Sequence, residues 1–321
     1  MRVLFCHRPG GAWGFITDGM INALRDVGCV VERWDGKLKT WDTFAPDVYI
    51  GASGHRQPVP ILRTCKIAIH VNPYGPIKIE PNINESQDAI DWVQSIHPDV
   101  VFGYGHETDR NLWSFWDRAN MPWIPIATAG DVTLFNIKGT HNKYDVGYVG
   151  GRWPYKAKNI DAYLLPVLRD ENLMCDVYGW GVWPDNLCKG HIEDKDVPLL
   201  YANCRVAPCI SEPHTLTTGI DLPERVFKAI LAGAVVVHDP VIGIDRYLPH
   251  VIIGNNPKDY YKKIAELMFD DRILEDIAEK QYDDVITAHT YHHRMATLMR
   301  ALNQNDVADR LLLAIKTKWL H

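Results

Sequence analysis

Short apolar runs alternate with amphipathic stretches along the chain. RVLFC, at residues 2–6, reads as a buried strand. A glycine-rich turn follows, and then FITDGMINALRDVG, whose apolar positions recur with helical spacing and whose Gly28 suits a helix end. VVERW, PDVYIGAS, KIAIHVN, PDVVFGYG and WIPIA read as further strands, with NESQDAIDWVQSI a helix among them. Residues 128–144 are polar and irregular, after which the pattern restarts. YDVGYVGG, CDVYGWG, RVAPCIS and VVVHD read as strands, with helices at about 154–170, at VPLLYANC and at LPERVFKAILAG. From Pro257 onward the pattern is helical, in three pieces. Strands alternating with helices predict parallel sheets covered on both faces. The expected fold class is α/β: two facing Rossmann-like domains, residues 1–135 and 136–290, with a helical tail, 291–321, returning to the first.

The length of 321 residues agrees with two domains. Hydrophobic residues are 46% and charged residues 23%, ordinary for a globular protein. A net charge of −6 argues against a dedicated nucleic-acid binder, although it leaves room for a local basic groove. Seven cysteines without C-x-x-C spacing read as buried free thiols in a reducing compartment. The apolar run at the N-terminus is too short for a signal peptide, and no stretch approaches the ~20 apolar residues of a membrane span. A cytoplasmic enzyme is expected.

Four strands, PDVYIGAS, PDVVFGYG, YDVGYVGG and CDVYGWG, carry Asp-Val and end in glycine. Ligands of open parallel sheets bind beyond the carboxyl ends of strands, where glycine permits close approach. Tight strand-to-helix turns account for any one of them equally well. Gly150, Gly151 and Arg152 lie between a strand and a helix start, a place suited to an anion, with Lys156 and Lys158 nearby. The nicotinamide fingerprint G-x-G-x-x-G and the P-loop motif are both absent. In LPERVFKAILAG, Arg225 and Lys228 are three apart and share a helix face. An ordinary charged helix surface is the alternative for both.

The series YDVGYVGGRW, DVYGWG, LPERVFKAILAGAVVVHD and AHTYHHR resembles the group-1 glycosyltransferases of the CgeB type, and the earlier IPIATAGDVTLF resembles their linker. The same half also resembles the phage DNA β-glucosyltransferases. The resemblance implies a GT-B fold with a nucleotide-sugar donor, a UDP-sugar by preference, in the second domain. It implies Gly150, Gly151, Lys158 and Arg225 near the diphosphate, with Arg152 adding charge at the same helix start, and Tyr178, Gly179 and Ile192 beside the base. The family's ribose-binding glutamate is Lys228 here, so Arg225 and Lys228 are expected to grip the donor as two cations. The class implies neither metal nor other cofactor, and His289, His292 and His293 lack the glutamate of a zinc hydrolase motif.

Acceptor chemistry belongs to the first domain. Inverting transfer needs a carboxylate or histidine within reach of the acceptor hydroxyl. His7, Asp18, His70 and His106 stand at strand ends or beside the first turn, and His70 and Asp18 are the chosen candidates. Phage-type enzymes place an aspartate where Asn72 stands, and Asn is no base. Gly11, Trp13, Tyr74 and His106 are expected to line the acceptor side, with Trp13, Tyr74, Tyr104, Trp113 and Trp116 available for stacking or for core packing. The acceptor is a glycan, a small molecule or a modified DNA base. A non-catalytic nucleotide-sugar-binding protein is the alternative from another class.

Overall fold

A computed structural model describes residues 1–6, 11–60, 64–73, 84–106, 111–137 and 143–320, with the side chains of residues 11 and 12 also outside the description. The chain forms two compact units. The first comprises Met1–Thr128 with Tyr291–His321, and the second Ala129–Thr290.

The first unit is built on six parallel strands: β1 (Arg2–Cys6), β2 (Val30–Trp34), β3 (Val48–Ala52), β4 (Lys66–His70), β5 (Val100–Gly103) and β6 (Trp123–Pro125). Their order is β2-β1-β3-β4-β5-β6. The chain reverses its winding between β1 and β3, which makes the carboxyl ends of those strands the natural crevice. β1, β3, β4 and β5 are almost wholly buried, as unbroken apolar runs in a covered parallel sheet must be. Trp113 and Trp116, both fully buried, fill the core with Trp34, Trp41 and Tyr49. They are packing residues, so of the two readings open for them the structure takes core packing. The helix Gln87–Ile96 starts where Ser86 accepts a bond from the amide of Ala89. The C-terminal helices Tyr291–Ala301 and Asn305–Ala314 pack on the first helix, Gly11–Asp26. Gly19 makes room for the Tyr291 ring there, and Nε2 of His292 meets the Asp26 carboxylate at 3.0 Å.

The second unit carries five parallel strands: β7 (Tyr144–Val149), β8 (Cys175–Tyr178), β9 (Cys204–Cys209), β10 (Val235–His238) and β11 (Ile252–Ile253), in the order β11-β10-β9-β7-β8. Its switch point lies between β7 and β9. Val146, Tyr148, Val206, Val235 and Val237 of the sheet pack against Ile160, Leu164, Tyr260 and Ile264 of its helices. Both sheets are parallel and helix-covered, as the alternating pattern requires.

Three local readings differ from expectation. The helix expected at about 154–170 is interrupted by a wide turn at Ile160–Leu164, just before Pro166, whose ring cannot sit in a regular helix interior. The tail from Pro257 has four helices rather than three, because Asp270 caps a new helix with bonds from the Arg272 and Ile273 amides. β11 was not anticipated, since two residues carry no periodicity. No helix among the described residues is long and apolar enough to cross a membrane.

Candidate functional site

The carboxyl ends of β7 and β9 enclose a cluster of polar groups that the apolar core of the second unit does not need. Gly150 and Gly151 follow β7, and the helix Pro154–Asn159 starts three residues later. The Gly150 amide donates to the carbonyl of Tyr178 at the end of β8, at 2.9 Å. Any Cβ on Gly150 would collide with the Arg225 guanidinium, and one on Gly179 would collide with the Gly150 carbonyl. The two turns are in backbone contact, and only glycine allows it.

Arg225 begins the helix Arg225–Leu231 and crosses beneath this turn. Its Nε donates to the carbonyl of Val149 at 2.6 Å, and its guanidinium lies 4.5 Å from the centre of the Tyr148 ring. Among the described residues, Nη1 is buried without a hydrogen-bond partner, as is the Tyr148 hydroxyl. Lys156, from the following helix, is 5% exposed, and its Nζ is 3.5 Å from Oε1 of Glu212 beyond β9. Burial, and then the charge of Arg225, bring the Lys156 ammonium down to about 8. Two buried cations, one of them with an unpaired donor among the described residues, stand beside a glycine turn at a switch point and form a site that favours an anion.

Several sequence-based assignments change here. Lys158 is exposed, and Lys156, two residues earlier, is the buried lysine near Arg225. Arg152 is tied up: it makes a two-pronged bond to Asp161 at 2.8 and 2.7 Å and donates to the Val182 carbonyl. Lys228 is not a second exposed prong. It is 6% exposed, lies 3.0 Å from Oε2 of Glu224 one turn earlier, and sits 5.4 Å from the Phe135 ring centre. Glu224, which carries no functional sign in the sequence, is buried with it, and burial pushes its carboxyl up to about 7 against the pull of Lys228. Tyr178 and Gly179 do border the glycine turn, while Ile192 is a half-buried loop residue beyond them.

In the first unit, a cavity of about 170 Å³ opens at the carboxyl ends of β1, β3, β4 and β5. Phe5, Ile16, Met20, Ile50 and Phe102 make it apolar, and Ser53, His55, His70 and Asn72 give it one polar side. His70 is surrounded by rings: Tyr104 at 4.5 Å, Trp13 at 5.3 Å and Phe102 at 5.5 Å between centres. Asp18 is not part of the lining. Its carboxylate pairs with Arg33 of β2, so of the two base candidates His70 lines the cavity and Asp18 does not. Gly11 opens the helix that carries Trp13, and His106 follows β5 outside the lining. His7 and Tyr74 lie outside the described residues.

The carboxylate missing at Asn72 arrives from elsewhere in the chain. Glu85 is 5% exposed, and its Oε1 accepts bonds from the Ser53 hydroxyl and from the Asn72 amide, the latter at 2.7 Å. Both donors line the cavity. Burial raises the Glu85 pKa against those bonds. Its only signal in the sequence is an acid immediately before the capping Ser86. Among the described residues, no three His, Cys, Asp or Glu side chains are grouped so as to hold a metal ion.

Two Rossmann-like units of this topology define the GT-B class of fold, and the chain has a glycosyltransferase fold. Residues 145–300 match a family model described as "Glycosyl transferase-like". No curated protein matches the sequence. Among solved structures, the chain is similar to the β-glucosyltransferase of T4 phage, at 12% identity and a TM-score of 0.61, covering 97% of this chain and 99% of that one. It is similar to HepE of Anabaena, solved with UDP and glucose, at 13% identity and a TM-score of 0.61, covering 95% and 100%. It is also similar to TarM of S. aureus, at 11% identity and a TM-score of 0.55, covering 83% of this chain and 58% of that one.

Proposed function

We propose that this protein is a glycosyltransferase of the CgeB type that moves a hexosyl or pentosyl group from a UDP-sugar to a hydroxyl acceptor. The observation that carries this reading is the buried Lys156–Arg225 pair beside the Gly150–Gly151 turn, at the switch point of the segment that matches the glycosyltransferase-like family. Arg225 holds the diphosphate of the donor by charge-assisted bonds, and Lys156 adds a point charge. Both stabilise the diphosphate as it leaves with the bond electrons. Metal-free catalysis is part of the proposal, because these side chains supply the positive charge a metal would bring.

In the first unit the acceptor occupies the cavity, and a base there takes the hydroxyl proton. His70 is one candidate. Glu85 is the second, acting through the Ser53 hydroxyl that donates to it; its raised pKa suits proton transfer nearer neutrality. A modified DNA base as acceptor is a second reading, supported by the ring-lined apolar cavity. Of the basic residues that would track a DNA backbone, Arg56 is exposed, while Arg8, Arg63, Lys78 and Arg110 lie outside the described residues.

The test is turnover of labelled UDP-sugars, preceded by thermal shift. A ligand at 100 times its Kd stabilises the native state by about 2.7 kcal/mol. Stabilisation by a UDP-sugar, lost in Arg225→Ala, is the expected result. Absence of a shift with every nucleotide sugar would overturn the reading. A steep fall of acceptor affinity with salt would mark the DNA acceptor.

A further inference from the structure

Trp180 follows the end of β8 with its indole 63% exposed, although its backbone is firmly tied. Its carbonyl accepts from the Arg152 amide at 2.9 Å and from the Trp183 indole at 3.3 Å. Gly181, at φ 92°, pairs as a bridge with Arg152, and Val182 takes a bond from the Arg152 guanidinium at 2.7 Å. Arg152 is itself clamped to Asp161. The loop is therefore rigid, and the indole projects from it by design of the backbone rather than through looseness.

The indole edge rests on Gly151. A Cβ there would come within 2.5 Å of Nε1 and 2.7 Å of Cζ2. Isolated exposed apolar residues are common. This one is fixed against the anion-binding turn, with a flat π-face open beside it. A diphosphate on that turn carries a nucleoside, whose base is a flat ring needing a partner.

We infer that the exposed face of Trp180 is the stacking platform for the donor's nucleobase, and that Arg152 is the residue positioning it. The inference rests on the reading of the second unit as a nucleotide-sugar site. It gives Arg152 a role in place of direct diphosphate binding. Because every base has a π-face, the platform adds affinity without choosing strongly among bases.

Calorimetry with UDP, ADP, GDP and inorganic pyrophosphate tests it, on wild type, Trp180→Ala, Trp180→Phe and Arg152→Met. Trp180→Ala should weaken the nucleoside diphosphates by about 5- to 150-fold, the range for loss of one stacked base, and leave pyrophosphate within about twofold. Trp180→Phe should recover much of the loss. Nucleotide should change the tryptophan emission of wild type more than that of Trp180→Phe. Arg152→Met should weaken nucleotide binding, spare pyrophosphate and reduce that emission change. Equal nucleotide affinity in Trp180→Ala overturns the platform. A parallel loss of pyrophosphate overturns it too, because the indole then only walls the phosphate turn. Wild type binding pyrophosphate but no nucleotide also overturns it and leaves the anion site standing. Wild type binding none of the probes overturns the donor-site reading as well.

Discussion

Donor affinity should depend on pH through Lys156. The ammonium is 5% exposed, and burial, reinforced by the nearby Arg225, lowers its pKa from 10.5 to about 8. A bound diphosphate favours the charged form and raises the pKa again. Binding therefore takes up a proton wherever the free lysine is neutral and the bound one is not. The sign follows: affinity is full below pH ~8 and falls as pH rises above it, by up to tenfold per unit, about 1.4 kcal/mol. Between pH 7 and pH 9 the expected loss is about tenfold. Phosphate titration does not intrude, because its second ionisation lies near pH 6. Oε1 of Glu212 lies 3.5 Å from the ammonium. Calorimetry of UDP in buffers of different ionisation enthalpy reads both the affinity and the proton uptake. Lys156→Met should weaken binding at pH 7 by about 1.5–3 kcal/mol, the worth of a hydrogen bond to a charged group, and flatten the profile. A wild-type profile already flat from pH 7 to 9.5, or an unchanged slope in Lys156→Met, would refute the placement of this lysine at the diphosphate.

Gly150→Ala should reproduce the donor-binding defect of Arg225→Ala with the fold kept, because the new methyl displaces the guanidinium from the Val149 carbonyl; UDP affinity and circular dichroism check it. Glu85→Gln should cut turnover by about 10²-fold or more while UDP affinity stays constant, with His70→Ala as the parallel test; unchanged turnover in either variant removes that residue from proton transfer. Lys228→Met should destabilise by about 3–5 kcal/mol, because it strands Glu224 in the core, and the double variant Lys228→Met with Glu224→Leu should recover most of that; urea titration of the four proteins in the cycle measures it.

The fold was legible because its strands are apolar runs and its helices keep their period. β1 and β4 are read directly from RVLFC and KIAIH. The Gly150–Gly151 turn and Arg225 were legible too, since close backbone approach and a helix-start arginine leave marks in a short window. What escaped depends on three-dimensional partnership. Periodicity gives no reason to prefer Lys156 to Lys158, two residues apart on a short helix; Lys156 is the one buried, with its ammonium 3.5 Å from Oε1 of Glu212, a residue 56 positions away. Glu224 and Lys228 look like surface charges of an amphipathic helix until both faces of that helix prove to be covered. Glu85 lies 13 residues from Asn72 and 32 from Ser53, and only the sheet brings the three together.

The Glu224–Lys228 pair also changes what a substitution at 228 means. On sequence grounds, Lys228→Glu separates two readings: stronger donor binding would mark a lapsed ribose contact, and lost binding a two-cation grip. In the folded protein it sets a second carboxylate beside one whose pKa already stands at about 7 through burial. Two such carboxylates one helical turn apart in a covered place repel, so one holds a proton or the helix start yields. The single variant therefore loses stability before any gain at the donor is read. The informative variant is the exchange, Glu224→Lys with Lys228→Glu, which keeps the pair and reverses its direction along the helix. If position 228 touches the ribose, the exchange should tighten UDP more than it tightens pyrophosphate. If the pair serves only to hold the helix against Phe135, UDP and pyrophosphate should change together, and the unfolding midpoint should account for both.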